Sequence, residues 1–152
     1  MESLEKSLGY ALRLLKFRPR SEAELRQRLS RKGISSVTVE FLISECKRKG
    51  LIDDEKFARY LATQKMMVKP VGRRMLVHEL KSKGINPLLV EQAVQEATEG
   101  KQELDVAREL ARGRILKLAE LKPEVARRRL FGFLSRRGFS SEVVYQVVRE
   151  ME

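Results

Sequence analysis

The sequence predicts an all-α protein made of three tandem three-helix repeats, stacked into an elongated, curved array. Three observations carry this. A cation–glycine–apolar step occurs three times, as "SRKGI" at Gly33, "KSKGI" at Gly84 and "SRRGF" at Gly138, spaced 51 and 54 residues apart. Leucines stand eight and four residues before each glycine (Leu25 and Leu29, Leu76 and Leu80, Leu130 and Leu134), and a valine stands six residues after it (Val39, Val90, Val144). Upstream, each unit carries a bulky residue, alanine, two variable positions and leucine: "YALRL", "FARYL" and "VAREL". Recurrence at a fixed long period is the mark of a repeat architecture.

Each element follows in order. The alanine motif marks the first helix of each unit, and Pro19, Pro70 and Pro123 separate it from the second. In unit one, Ser21 and Glu24 have capping-box spacing, so the second helix begins there. Leu25 and Leu29 share a face at i and i+4. Gly33 supplies a left-handed stop, and Arg31 and Lys32 complement the negative end of the helix dipole. Ser35 or Ser36, Asn86, and Ser140 or Ser141 are the candidate caps of the third helices. Their apolar stripes run Val39, Leu42, Ile43; then Val90, Ala93, Val94; then Val144, Val147, Val148. "KGLIDDEKFARYL" carries unit one into unit two, with Asp53 or Asp54 as the next N-cap. The units span 1–56, 57–104 and 105–152 as one continuous repeat domain. So small a unit cannot bury three apolar stripes well alone, which predicts stacking.

Composition narrows the function. The 152 residues hold 32 Lys and Arg against 21 Asp and Glu, a net charge of +11, which draws the chain to a polyanion: nucleic acid, nucleoprotein or an anionic membrane. No apolar run approaches the roughly 20 residues that span a bilayer, and "MESLEKSLGY" lacks signal-peptide order, so a cytoplasmic protein is expected. A membrane-surface role is disfavoured, because the apolar stripes are needed to close the repeats.

Catalysis is not expected. The chain has one His and one Cys, with no phosphate-binding glycine loop and no metal-ligand spacing, so neither cofactor nor metal is predicted. Cys46 reads as a small helix residue and His78 as a helix-surface or half-buried one. Asp53, Asp54 and Glu55 read as a helix start rather than a metal site.

Three helices with a glycine before the last suggest a helix-turn-helix, but the charges disagree. The third helices carry Glu40 and Glu45, then Glu91, Glu96 and Glu99, and would meet phosphates badly. Cations collect on and around the second helices instead: Arg18, Arg20, Arg26, Arg28, Arg31 and Lys32; Arg73, Arg74, Lys81 and Lys83; Arg127, Arg128, Arg129, Arg136 and Arg137. Stacked in register, they form a basic ridge along the array. The blander account is that cations beside a glycine cap a dipole. The units have net charges of +4, +3 and +4, which suits an extended partner. A nonspecific DNA-binding or architectural protein is the alternative that +11 alone would allow.

The stretches "ALRLLKFRPRSEAELRQRL" (Ala11 to Leu29), "GLIDDEKFARYL" (Gly50 to Leu61) and "GRRMLVHELKSKGI" (Gly72 to Ile85) resemble the recurring motifs of the RecX family, bacterial regulators of the RecA recombinase. The resemblance is closest over residues 11 to 97; over the third unit, repeat logic and length agree. It implies an all-helical, three-repeat fold that binds along the groove of the RecA filament on single-stranded DNA and inhibits its recombinase and ATPase activities. It further implies weak direct binding to single-stranded DNA, with double-stranded DNA as a second candidate. A monomer is expected.

Overall fold

A computed structural model describes residues 3–151, and among these there are nine helices and no strand. They run α1 (Leu4–Phe17), α2 (Glu22–Arg31), α3 (Ser36–Arg48), α4 (Asp54–Val68), α5 (Arg73–Ser82), α6 (Pro87–Ala97), α7 (Glu103–Leu118), α8 (Pro123–Arg136) and α9 (Ser141–Glu150). Helix packing joins α1, α2 and α3, then α4, α5 and α6, then α7, α8 and α9. Helix starts place the unit edges near residues 53 and 102, so the expected edges at 56 and 104 fall in the first turns of α4 and α7.

The predicted caps hold in detail. Ser21 and Glu24 form a complete capping box on α2. Ser35, Asn86 and Ser140 cap the third helices, and Asp53 caps α4. Gly33, Gly84 and Gly138 all have positive φ, of 93°, 77° and 86°. The backbone there turns left-handed, and an L side chain would be strained.

Each unit has its own apolar core. The leucine pairs and Val39, Val90 and Val144 are buried in three separate clusters, together with Ala11, Ala58 and Ala107. Those alanines are fully buried, so their small side chains let the first helix of each unit lie close to its neighbours. Among the described residues, the expectation that stacking would complete the cores is met only at Met66, which packs against the clusters of units two and three. The chain exposes 10085 Å², against about 7,900 Å² expected of a compact monomer of its mass. The array is therefore elongated.

The units are joined at helix ends, by one arrangement used twice. At the first joint, the hydroxyl of Ser21 at the start of α2 donates to the Lys83 carbonyl at the end of α5 (2.6 Å). A Cβ on Gly84 would meet Ala23 Cβ at 2.4 Å. At the second joint, the amide of Gly72 at the start of α5 donates to the Arg137 carbonyl at the end of α8 (2.7 Å), and a Cβ on Gly138 would meet Met75 Cβ at 2.5 Å. Ser21 and Gly72 each lie twelve residues before their own glycine. The end of each middle helix thus docks on the start of the middle helix before it.

The third unit departs from this pattern. Pro19 and Pro70 lie in loops, whereas Pro123 is the first residue of α8, which runs 14 residues against 10 in α2 and α5. The extra turn is added at the start of α8. Among the described residues, no helix is long and apolar enough to cross a membrane.

Candidate functional site

The fold sorts the expected ridge into cations that hold the molecule together and cations left available. Arg20 is buried, with its Nε donating to the Leu14 carbonyl (3.2 Å). Burial, then repulsion from Arg18 and Arg28, lowers its pKa. It ties the end of α1 to the following loop and is not part of an exposed ridge, a placement that charge counting could not reveal.

Four more ridge residues are neutralised by acids. Arg18 pairs with Glu24 (2.9 Å) and Arg26 with Glu40 (2.8 Å), while Arg73 pairs with Glu91. Lys83 reaches Glu24 across the first joint (3.4 Å). Two of these partners, Glu40 and Glu91, belong to the third helices, whose acidity thus answers the cations of the neighbouring second helix.

The cation just before each glycine does more than complement a dipole. Lys83 spans the first joint, and Arg137 spans the second by donating to the Pro70 carbonyl (2.7 Å). In unit one, Lys32 instead lies over the Tyr10 ring at 5.2 Å.

Arg28, Arg31, Arg74, Lys81, Arg128, Arg129 and Arg136 are exposed and pair with no acid among the described residues. Arg127 is half-buried on α8. Sequence reasoning missed two further cations, Arg114 and Lys117, because it searched the second helices alone. They lie three apart on α7 in "ARGRILKL" and so share a face. With Arg128, Arg129 and Arg136 of α8 they line a surface groove of about 540 Å³, and no acidic side chain among the described residues lines it.

The remaining candidates have structural roles. Asp53 accepts from the Lys56 amide, Asp54 from the Glu22 amide across the first joint, and Glu55 pairs with Arg59. No group of His, Cys, Asp and Glu among the described residues could hold a metal ion. His78 is exposed on α5. Cys46 is buried, and burial raises its pKa, which disfavours the reactive thiolate.

Comparison with known proteins places this arrangement. Models of the first, second and third three-helix domains of RecX match residues 8–46, 53–94 and 101–148. The Regulatory protein RecX of Amycolatopsis mediterranei is 35% identical over 149 residues, covering 98% of this chain and 85% of that protein. That of Thermotoga maritima is 37% identical over 150 residues, covering 97% and 86%. The crystal structure of RecX from Lactobacillus salivarius shares the fold, with a TM-score of 0.76 at 20% identity over 97% of this chain and 95% of that one. The domain matches include the third unit, where the motifs legible in the sequence are sparsest. This chain belongs to the RecX family of regulatory proteins.

Proposed function

We propose that the protein binds along the RecA nucleoprotein filament on single-stranded DNA and inhibits its recombinase and ATPase activities, thereby modulating recombinational DNA repair and the SOS response. Family membership supports the partner. The observation that carries the mode of binding is the joint used twice, with Lys83 on Ser21 and Arg137 on Gly72. A chain that repeats its own joint presents similar surfaces at intervals, and a filament repeats its protomers. Once one unit is seated, contacts by the others are intramolecular, and avidity follows.

The exposed, unpaired cations of units one and two, Arg28, Arg31, Arg74 and Lys81, are the ridge residues assigned to the filament. Arg74 is the cleanest probe, since it pairs with no described acid, whereas Arg73 is tied to Glu91. Arg74→Glu should weaken co-sedimentation with preassembled RecA filaments several-fold while leaving the melting temperature unchanged. Binding equal to the parent's would remove this part of the ridge from the interface.

A nonspecific DNA-binding role is the second reading, favoured by the charge of +11. It predicts a steep loss of affinity for bare DNA with salt, about 10³ to 10⁵ between 50 and 200 mM if six to ten phosphates are engaged. It also predicts no preference for the filament.

A further inference from the structure

We propose that the groove between α7 and α8 is the protein's grip on the sugar-phosphate backbone of single-stranded nucleic acid. Contact with the strand is then concentrated in the third unit rather than shared evenly by the three. The inference deepens the functional reading above and takes its filament setting from it.

Four observations converge on this groove. Its walls hold five cations, Arg114, Lys117, Arg128, Arg129 and Arg136, and no acid among the described residues lines it. None of the five forms an ion pair with a described residue, in contrast to Arg18, Arg26, Arg73 and Lys83 of the first two units. Arg114 and the neighbouring Arg137 lie over the Phe133 ring, at 4.7 and 4.9 Å from its centroid. A ring positions a guanidinium without cancelling its charge, as a carboxylate would.

The fourth observation is Gly132, which lines the groove in the middle of α8. A glycine inside a helix costs about 1 kcal/mol relative to alanine, and this one has no positive φ to require it. The equivalent positions of the other units, six residues before the glycine, hold Gln27 and His78. A Cβ at Gly132 would come within 3.0 Å of an Arg136 guanidinium nitrogen, so the missing side chain keeps this wall open beside that cation.

The shape points to a polymeric anion. Arg128 and Arg136 are eight residues apart, about 12 Å along the helix axis. A row of that length, faced by Arg114 and Lys117, exceeds what one phosphate needs and suits consecutive phosphates of a strand. Such contacts read charge rather than bases.

The test measures binding of a fluorescent oligothymidylate by anisotropy over a salt series. The groove variant combines Lys117→Gln, Arg128→Gln and Arg129→Gln, all at exposed positions without ion pairs. The charge-matched control combines Lys16→Gln, Lys49→Gln and Lys69→Gln, exposed cations outside groove and ridge. The groove variant should lose about tenfold or more in affinity, and its slope of log K against log salt should fall by about 2, at roughly 0.7 for each phosphate no longer engaged. The control should lose less than about threefold. Gly132→Leu, which leaves the charge unchanged and favours the helix, should also weaken binding several-fold. Equal losses in groove and control variants, or unaltered binding by Gly132→Leu, would overturn the proposal. RecA ATP hydrolysis, measured in parallel, separates the two readings. A parent protein that fails to inhibit RecA sinks the filament function but leaves the groove standing; a parent that inhibits while the groove variant binds the strand normally sinks the groove alone.

Discussion

The Ser21 hydroxyl donates to the Lys83 carbonyl at 2.6 Å while accepting from the Glu24 amide at 3.1 Å, so one side chain caps α2 and fastens unit two to unit one. Ser21→Ala removes the cap and leaves the carbonyl without its donor. The cap alone is worth about 1 kcal/mol and the unmet carbonyl about 1–3 more. Urea denaturation should show a loss of about 2 kcal/mol or more; a loss under about 0.5 kcal/mol would show that the joint is not held here.

Gly72 and Gly33 separate contact from backbone strain. Gly33 has φ of 93° with nothing within 4 Å of an added Cβ, so Gly33→Ala should cost about 1–2 kcal/mol from the left-handed conformation alone. Gly72 has an ordinary φ of −70°, yet a Cβ there would lie 2.3 Å from the Gly138 carbonyl oxygen. Backbone cannot move aside as a side-chain tip can, so Gly72→Ala should be the more damaging change. It should also speed hydrogen exchange at the Gly72 amide, which is bonded to the Arg137 carbonyl. The reverse order of stabilities would mean that the second joint yields easily.

Two carboxyls at the first joint should respond to pH with opposite signs. Burial acts to raise the pKa of Glu24, but hydrogen bonds from Arg18 and the Ser21 amide, with the charges of Arg18 and Lys83, outweigh it and leave it lowered. Its contribution is present above its unfolded pKa and is lost as pH falls through the lower folded value. For Asp54, burial raises the pKa and is only partly opposed by the bond from the Glu22 amide and the charge of Lys47, while the Glu22 and Asp53 charges add to the rise. Its contribution is present below its unfolded pKa and is lost as pH rises through the higher folded value. Asp54→Asn, which keeps an acceptor for the Glu22 amide, should therefore stabilise the protein at pH 7, with the gain disappearing in acid. Glu24→Gln should destabilise it at pH 7, and that loss too should fade in acid. Denaturation midpoints at pH 7 and pH 3 check both, and shifts of the same sign would contradict the assignment.

Cys46 reports on unit one. Because the thiol is buried and its pKa raised by burial, its labelling by an aromatic disulfide should follow opening of the unit. The rate should be far below that of a free thiol and should rise on addition of urea. Immediate labelling in native buffer would contradict this packing.

Much of this is legible in the residues, because short-range chemistry wrote it there. The Ser21–Glu24 box, the caps Ser35, Asn86 and Ser140, and the three left-handed glycines are local devices that depend on a few neighbouring residues. What escapes depends on partners far away in sequence. Nothing near Gly72 indicates that it must be bare to admit the end of α8, and nothing near Arg20 indicates that its guanidinium turns inward to Leu14. Charge counting makes the ridge one continuous feature because it cannot tell Arg26, held by Glu40, from Arg28, which has no such partner. The α7–α8 groove escapes it because Arg114 and Lys117 lie on a helix that the repeat alignment does not mark as basic.

The central claim is that the partner is the filament rather than bare DNA. RecA ATP hydrolysis on single-stranded DNA, measured at near-physiological salt while this protein is titrated at substoichiometric ratios and its affinity for the same naked DNA is determined in parallel, tests it most directly. Inhibition is expected at concentrations well below those that saturate the bare strand. Inhibition that appears only once the naked DNA would already be coated would contradict the claim and identify simple competition for the strand.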